Sequence, residues 1–358
     1  MNATRKLHEL GQSLWLDTIT RDLLSSGTLE RYIDELSVTG LTSNPTIFER
    51  ALTGSAAYED DIGRLVRAGV SGEEVFVTLA LDDLTRAADL FAAVHQRTAA
   101  VDGWVSLEVS PTLAHDTAAT VAAARSLYER AARPNLFIKI PGTPEGLPAV
   151  EEALVSGIPV NVTLLFSTEH YLAAADAYLR ALERRVAAGL SPDVRSVASL
   201  FISRWDKAIA ESVPADRRNL LGIAVGTQAY GAYRGLLDSD RWQRLAGYGA
   251  HPQRLLFAST GTKDPSASDV LYVSSLAAPN TVDTMPEETL LAFAAHGDVE
   301  RPLSRDAGAA SEALAAFSTA GVDLAALAAR LQREGVEAFE ASWRNLLATI
   351  DAKCGTRR

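Results

Sequence analysis

Short apolar runs alternate with helix-patterned segments along the whole of this 358-residue chain. The runs are SLWLDT (13–18), SVTGLTSN (37–44), GWVSLEVS (103–110), LFIKIPG (136–142), IPVNVTLLF (158–166), RSVASLFIS (195–203) and RLLFAS (254–259). A weaker eighth spans Asn280 to Thr284. Between them apolar residues recur at helical spacing, as in Leu84, Ala87, Ala88, Phe91 and Val94, or Tyr171, Ala174, Ala175, Tyr178 and Leu182. Strand–helix–strand units joined by right-handed crossovers make a parallel sheet, open or closed. Eight of them favour closure. The alternation therefore predicts an α/β fold, a (β/α)8 TIM barrel with additional N- and C-terminal helices. No linker-like tract or repeat period interrupts it, so residues 1–358 read as a single barrel domain. A helical extension precedes strand one, and a C-terminal helix covers about 321–353, with Val336, Phe339, Trp343, Leu346, Leu347 and Ile350 on one stripe.

Two local expectations are less obvious. EVFVTLAL (74–81) is rich in β-branched residues, but it runs without a turn signal into the pattern at 84–94 and so reads as helix. Thr143-Pro144-Glu145 predicts an N-cap, a proline at the first helical position and an acid in the first turn, with the helix stopping at Gly157.

Side chains alternate faces along a strand. In each run one face is aliphatic and suits a helix layer. The other carries a polar group near the strand's C-terminal half: Asp17 in the first run, Ser106 and Glu108 in the third, Lys139 in the fourth, Asn161 and Thr163 in the fifth, Ser199 in the sixth. In a closed barrel that second face is the lumen, and its C-terminal end is where active sites are built. Taken alone, an Asp or Asn near a strand end is usually a turn or cap residue, and a strand Ser or Thr is structural. Their recurrence at one level of successive strands argues otherwise.

Lys139 is the most unusual of them. It stands among Leu136, Phe137, Ile138 and Ile140, in a chain whose 34 basic residues include only five lysines. An ammonium in such a run is costly to bury and tends to lose its proton. A neutral amine in an apolar slot is a nucleophile toward carbonyls, a role closed to arginine. The plainer reading is a structural ion pair with Glu108.

Composition removes other classes of function. A formal charge of −11 argues against nucleic acid as a partner. No run approaches about 18 uninterrupted apolar residues, so no membrane span is expected. The N-terminus has no signal-peptide pattern, and the lone Cys354 cannot form an internal bridge, which together predict a cytoplasmic protein. His8, His95, His115, His170, His251 and His296 are scattered without metal-ligand spacing. No nucleotide-binding glycine motif or serine nucleophile elbow is present. Neither a metal nor a cofactor is expected. Monomer and homodimer both stay open.

The motifs also resemble a family. GLTSNPTIF is similar to the N-terminal signature of transaldolases, and LFIKIPGT followed by NVTLLFS resembles their active-site signature. LEVSP and SLFISRWD extend the likeness over nearly the whole chain, and the segments Ala258–Pro265 and Asn280–Pro286 look like the longer bacterial and plant-type subfamily. The resemblance implies a cofactor-free (β/α)8 enzyme of the pentose phosphate pathway. Such enzymes move a dihydroxyacetone unit from sedoheptulose 7-phosphate or fructose 6-phosphate to glyceraldehyde 3-phosphate or erythrose 4-phosphate, so the expected partners are phosphorylated sugars. By motif position it implies Lys139 as the Schiff-base lysine and Asp17 as the base at the C4 hydroxyl. Glu108 would shuttle protons through a water held by Thr163. Asn44, Asn161 and Ser199 would line the dihydroxyacetone pocket, and Arg204 and Ser259 would hold phosphate. The family's loop after strand seven carries Ser-x-Arg. Here it reads Ser259-Thr260-Gly261-Thr262-Lys263, which puts Lys263 in the arginine's role.

Two alternatives stand beside this reading. One is a Schiff-base aldolase without transfer, against which Glu108 argues, since the short fructose-6-phosphate aldolases lack a glutamate there. The other is a non-catalytic sugar-phosphate-binding barrel, for which a buried amine has no use.

Overall fold

The computed structural model describes residues 2–70, 72–299 and 301–355, the side chain of Cys354 excepted. Among the described residues eight parallel strands close into a barrel in sequence order. They are β1 (Gln12–Leu16), β2 (Val38–Thr42), β3 (Trp104–Glu108), β4 (Leu136–Pro141), β5 (Val160–Leu165), β6 (Ser196–Phe201), β7 (Arg254–Ala258) and β8 (Thr281–Met285). β8 pairs with β1 to complete the ring. The strands are shorter than the apolar runs that announced them. Asp17 and Asn44 therefore lie just beyond their strands, and Asn44 caps the helix Pro45–Gly54. The segment 74–81 is helical, inside Gly72–Arg97, because Val75, Phe76, Leu79, Ala80 and Leu84 all meet the core at helical spacing.

One helix start needs correction. The helix expected to open at Pro144 begins at Gly146. Pro144 and Glu145 form a turn before it. Thr143 still serves that end, since its hydroxyl accepts from the Gly146 N–H at 3.0 Å and donates to the Ala114 carbonyl at 2.7 Å. The helix ends at Val155, followed by Gly157 at φ +84°, a left-handed exit that favours glycine.

Register places Trp15, Gly40, Trp104 and Phe137 on the lumen face in the lower part of the barrel. Trp104 stacks on Phe137 with centroids 4.1 Å apart, and Trp15 lies 6.1 Å from the same ring. Gly40 makes this possible, because a Cβ there would sit 2.6 Å from the Trp15 indole nitrogen. Below the rings Asp102 accepts from the Ser13 hydroxyl at 2.7 Å and pairs with Arg254 at 3.2 Å. Arg254 also donates to Ser13 Oγ and to the carbonyls of Thr281 and Val101. The stacked rings plug the lower lumen, and beneath them Asp102 and Arg254 are paired and bonded.

The helix Ala3–Glu9 precedes β1, and the helix Leu324–Gly355 ends the described chain. The latter packs on the helix Pro45–Gly54 and on β5. Gln332 Nε2 donates at 3.0 Å to the carbonyls of both Gly142 and Leu164. Leu164 has φ +58° and marks a bulge where the β5–β6 register shifts. Irregular backbone leaves carbonyls without sheet partners, and the carboxamide supplies two of the missing bonds. Among the described residues no single helix is long and apolar enough to cross a membrane.

Candidate active site

The upper end of the lumen opens into a cavity of about 830 Å³. Asp17, Asn44, Lys139, Thr163, Ser199, Arg204, Ser259 and Lys263 all line it. Residues chosen from six different strands or strand ends thus meet at one place. The barrel brings them there because β3, β4 and β5 pair with Glu108 opposite Lys139 and Lys139 opposite Asn161. Residues level in register on neighbouring strands point the same way.

Lys139 is 4% exposed. Its Nζ lies 3.1 Å from Glu108 Oε2 and donates to the Ser43 carbonyl at 3.2 Å. The Phe339 ring, from the C-terminal helix, stands over it at 5.6 Å. The ion pair considered for Lys139 and Glu108 is therefore present. It is incomplete as a structural device, because neither Glu108 oxygen has a well-directed hydrogen bond among the described residues. Thr163 Oγ1 is buried without a partner as well. Burial pushes the Glu108 carboxyl up from its ordinary pKa, against the pull of Lys139.

Asp17 accepts from the Thr42 hydroxyl at 2.7 Å, and Thr42 in turn lies 2.6 Å from Thr284 Oγ1. Desolvation raises the Asp17 pKa, while Lys139, the Thr42 bond and Lys263 draw it back. Two carboxyls thus flank one amine, each raised by burial. Asn161 sits one layer lower than the cavity wall. Its amide donates to Ser106 Oγ at 3.1 Å, and its carbonyl oxygen accepts from Ser199 at 2.7 Å. Glu108 likewise lies behind the wall and not on it.

The far side of the cavity is cationic. Arg204 and Lys207 come from the helix Ser203–Ile209, and Lys263 from the loop after β7. Ser259 opens that loop at φ +57°, an uncommon conformation for a residue with a side chain, and its hydroxyl lies 2.9 Å from Ser203 Oγ. Ser259 stays half-buried, while Lys263 is exposed at the rim.

These residues coincide with a family pattern. The family model described as transaldolase/fructose-6-phosphate aldolase matches residues 14–350. The chain belongs to this family. A transaldolase of Saccharopolyspora erythraea is 46% identical over 96% of this chain and 95% of its own. One of Thiobacillus denitrificans is 45% identical over 98% of this chain and all of its own, and a "Transaldolase 2" of a Nostoc species is 38% identical over 99% and 98%. The family's barrel and the reach of the match agree with the closed sheet seen here.

Strand parity missed several neighbours of the site. Thr42 was within reach, since it shares a face with Gly40 and Asn44. Thr284 needed a firmer eighth strand. Ser43 contributes a backbone carbonyl, which carries no side-chain signal at all. Phe339 stood out only as one member of an apolar stripe. Among the described residues no three His, Cys, Asp or Glu side chains group as a metal site.

Proposed function

We propose that this chain is a transaldolase that works through a Schiff base on Lys139. The observation that carries the reading is a buried lysine amine opening onto an 830 Å³ cavity, 3.1 Å from a carboxylate, in a chain 45–46% identical to proteins named transaldolase. The donor is a ketose phosphate such as sedoheptulose 7-phosphate or fructose 6-phosphate. The acceptor is glyceraldehyde 3-phosphate or erythrose 4-phosphate, as in the non-oxidative pentose phosphate pathway. The whole chain acts as one barrel domain, in the cytoplasm.

Chemistry assigns the roles. Lys139 Nζ gives its proton to Glu108 and attacks the ketose C2, forming a carbinolamine. Glu108 returns a proton through a water held between it and Thr163, and water leaves to give the iminium. Unpartnered oxygens on both residues support a water there. The iminium takes up the electron pair of the C3–C4 bond as it breaks, while Asp17 removes the C4 hydroxyl proton. The aldose departs. The enamine then attacks the acceptor's C1, and Asp17 returns its proton to the new hydroxyl. Hydrolysis by the same relay frees Lys139. Asn44 offers its NH2 to a substrate hydroxyl, because its oxygen is taken by the helix cap. Asn161 and Ser199 support the dihydroxyacetone hydroxyls from below, with Ser199 at the wall. Arg204, Ser259 and Lys263 hold the phosphate.

Borohydride reduction in the presence of fructose 6-phosphate should add a single dihydroxyacetone-sized mass to the Lys139 peptide. An active enzyme with Lys139 unmodified overturns the mechanism. Turnover of fructose 6-phosphate should depend on added erythrose 4-phosphate. Strong turnover without an acceptor would make the chain an aldolase.

A further inference from the structure

A second cavity of about 420 Å³ lies under the aromatic rings, at the end of the barrel opposite Lys139. We propose that it binds a small organic anion, a phosphate ester or carboxylate, through Arg234. Arg234 lies near the C-terminal end of the helix Leu221–Leu237 and lines this cavity. It is 9% exposed, and its Nε has no hydrogen-bond partner among the described residues. The other arginines of the cavity are engaged. Arg254 is held by Asp102, Ser13 and two carbonyls, and Arg195 by Asp193 at 2.8 Å and the carbonyls of Ala99 and Ala100. Among the described residues the Arg234 guanidinium has no ion-pair partner, and its Nε is buried without a hydrogen bond.

A buried donor left without an acceptor costs free energy that a bound anion would recover. Chains keep such a group where something outside the chain compensates it. A guanidinium fork can meet two oxygens of a carboxylate or phosphate at once. Trp104 and Phe137 add an apolar surface to the same cavity. A small carbon skeleton can rest there while its anionic end meets Arg234. The volume lies within the range of about 300–1,000 Å³ usual for small-molecule sites. Phosphate ester and carboxylate present the same paired oxygens, so the probes must separate them.

Trp104 lines the cavity, so tryptophan fluorescence and melting temperature both report occupancy. Full-length wild type, Arg234→Met, Arg234→Lys and Lys263→Ala are titrated with inorganic phosphate, glycerol 3-phosphate and benzoate. At least one probe should bind saturably below about 20 mM to wild type and to Lys263→Ala, and at least about tenfold more weakly to Arg234→Met. Binding by the phosphates alone assigns a phosphate ester, and binding by benzoate alone a carboxylate. In anion-free buffer Arg234→Met should melt no lower than wild type, because an unpartnered buried donor is gone. Should Arg234→Met fail to fold, or melt lower, Arg234 is structural and the proposal falls, unless Arg234→Lys folds and shows weakened binding. The proposal is also overturned if no probe binds wild type saturably, or if affinity is unchanged in both Arg234 variants.

Discussion

The two ends of the barrel lumen each hold a buried acid–base pair, and they treat it oppositely. At the lower end Arg254 and Asp102 are 3.2 Å apart, and further bonds to Ser13, Trp15 and two carbonyls surround them. At the upper end Lys139 and Glu108 are 3.1 Å apart, but Glu108 lacks well-directed partners and a cavity opens beside the amine. Arginine at the lower end stays charged and fixes a planar fork. Lysine at the upper end is a single amine on a flexible stem. The Arg254–Asp102 pair is fully bonded, whereas Glu108 is not, as the proposed Schiff-base role requires. The same distance therefore means different things at the two ends, and hydrogen-bond completeness is what separates them.

That contrast can be broken by experiment. Lys139→Met should fold and lose turnover by roughly 10⁴-fold or more, because no covalent intermediate can form. Residual turnover near the wild-type rate would refute the role given to the upper pair. Arg254→Met should do the reverse. Leaving Asp102 buried without its counter-ion should cost about 3–5 kcal/mol in urea unfolding, with kcat per folded molecule retained. A stable but inactive Arg254→Met would erase the distinction between the ends.

Asp283 sharpens the comparison from a third position. It faces outward from β8, level with Phe257, and burial pushes its carboxyl up to about 7 although Thr260 donates to it at 2.7 Å. A raised carboxyl contributes stability that is present at low pH and lost as pH rises from about 4 through about 7. Asp283→Asn should remove that slope and exceed wild type by about 2–4 kcal/mol above pH 8, read from urea unfolding at several pH values. Parallel pH profiles for the two proteins would show that Asp283 is not the titrating group. The smallest effect is expected at the rim. Lys263→Ala should raise KM for phosphorylated substrates about tenfold with kcat nearly unchanged, as for the loss of one charge-assisted bond. An unchanged KM would remove Lys263 from the phosphate site.

The fold was legible because strand parity and helix period are long-range patterns repeated many times. Asp17, Lys139, Thr163 and Ser199 were legible for the same reason, since parity alone puts them on one face. The depth of each residue was not. Asn161 and Glu108 share that face and are level in register with Lys139, yet only the longer lysine side chain reaches the cavity wall. Phe339 and Gln332 were hidden for another reason. Their partners lie far away in sequence, and nothing in an amphipathic helix says which turn will cross the barrel mouth. The helix start at Gly146 was misplaced because Thr143-Pro144-Glu145 fits a tight turn as well as a cap.

Gln332 and Phe339 have a consequence for the making of the protein. All eight strands and the lysine leave the ribosome before the helix that carries these two residues. A barrel can therefore close while its reactive amine still lacks its aromatic cover and the carbonyls of Gly142 and Leu164 still lack their amide. On the proposed function, competence would arrive only once the helix Leu324–Gly355 has been made, and a chain lacking that helix should be inactive.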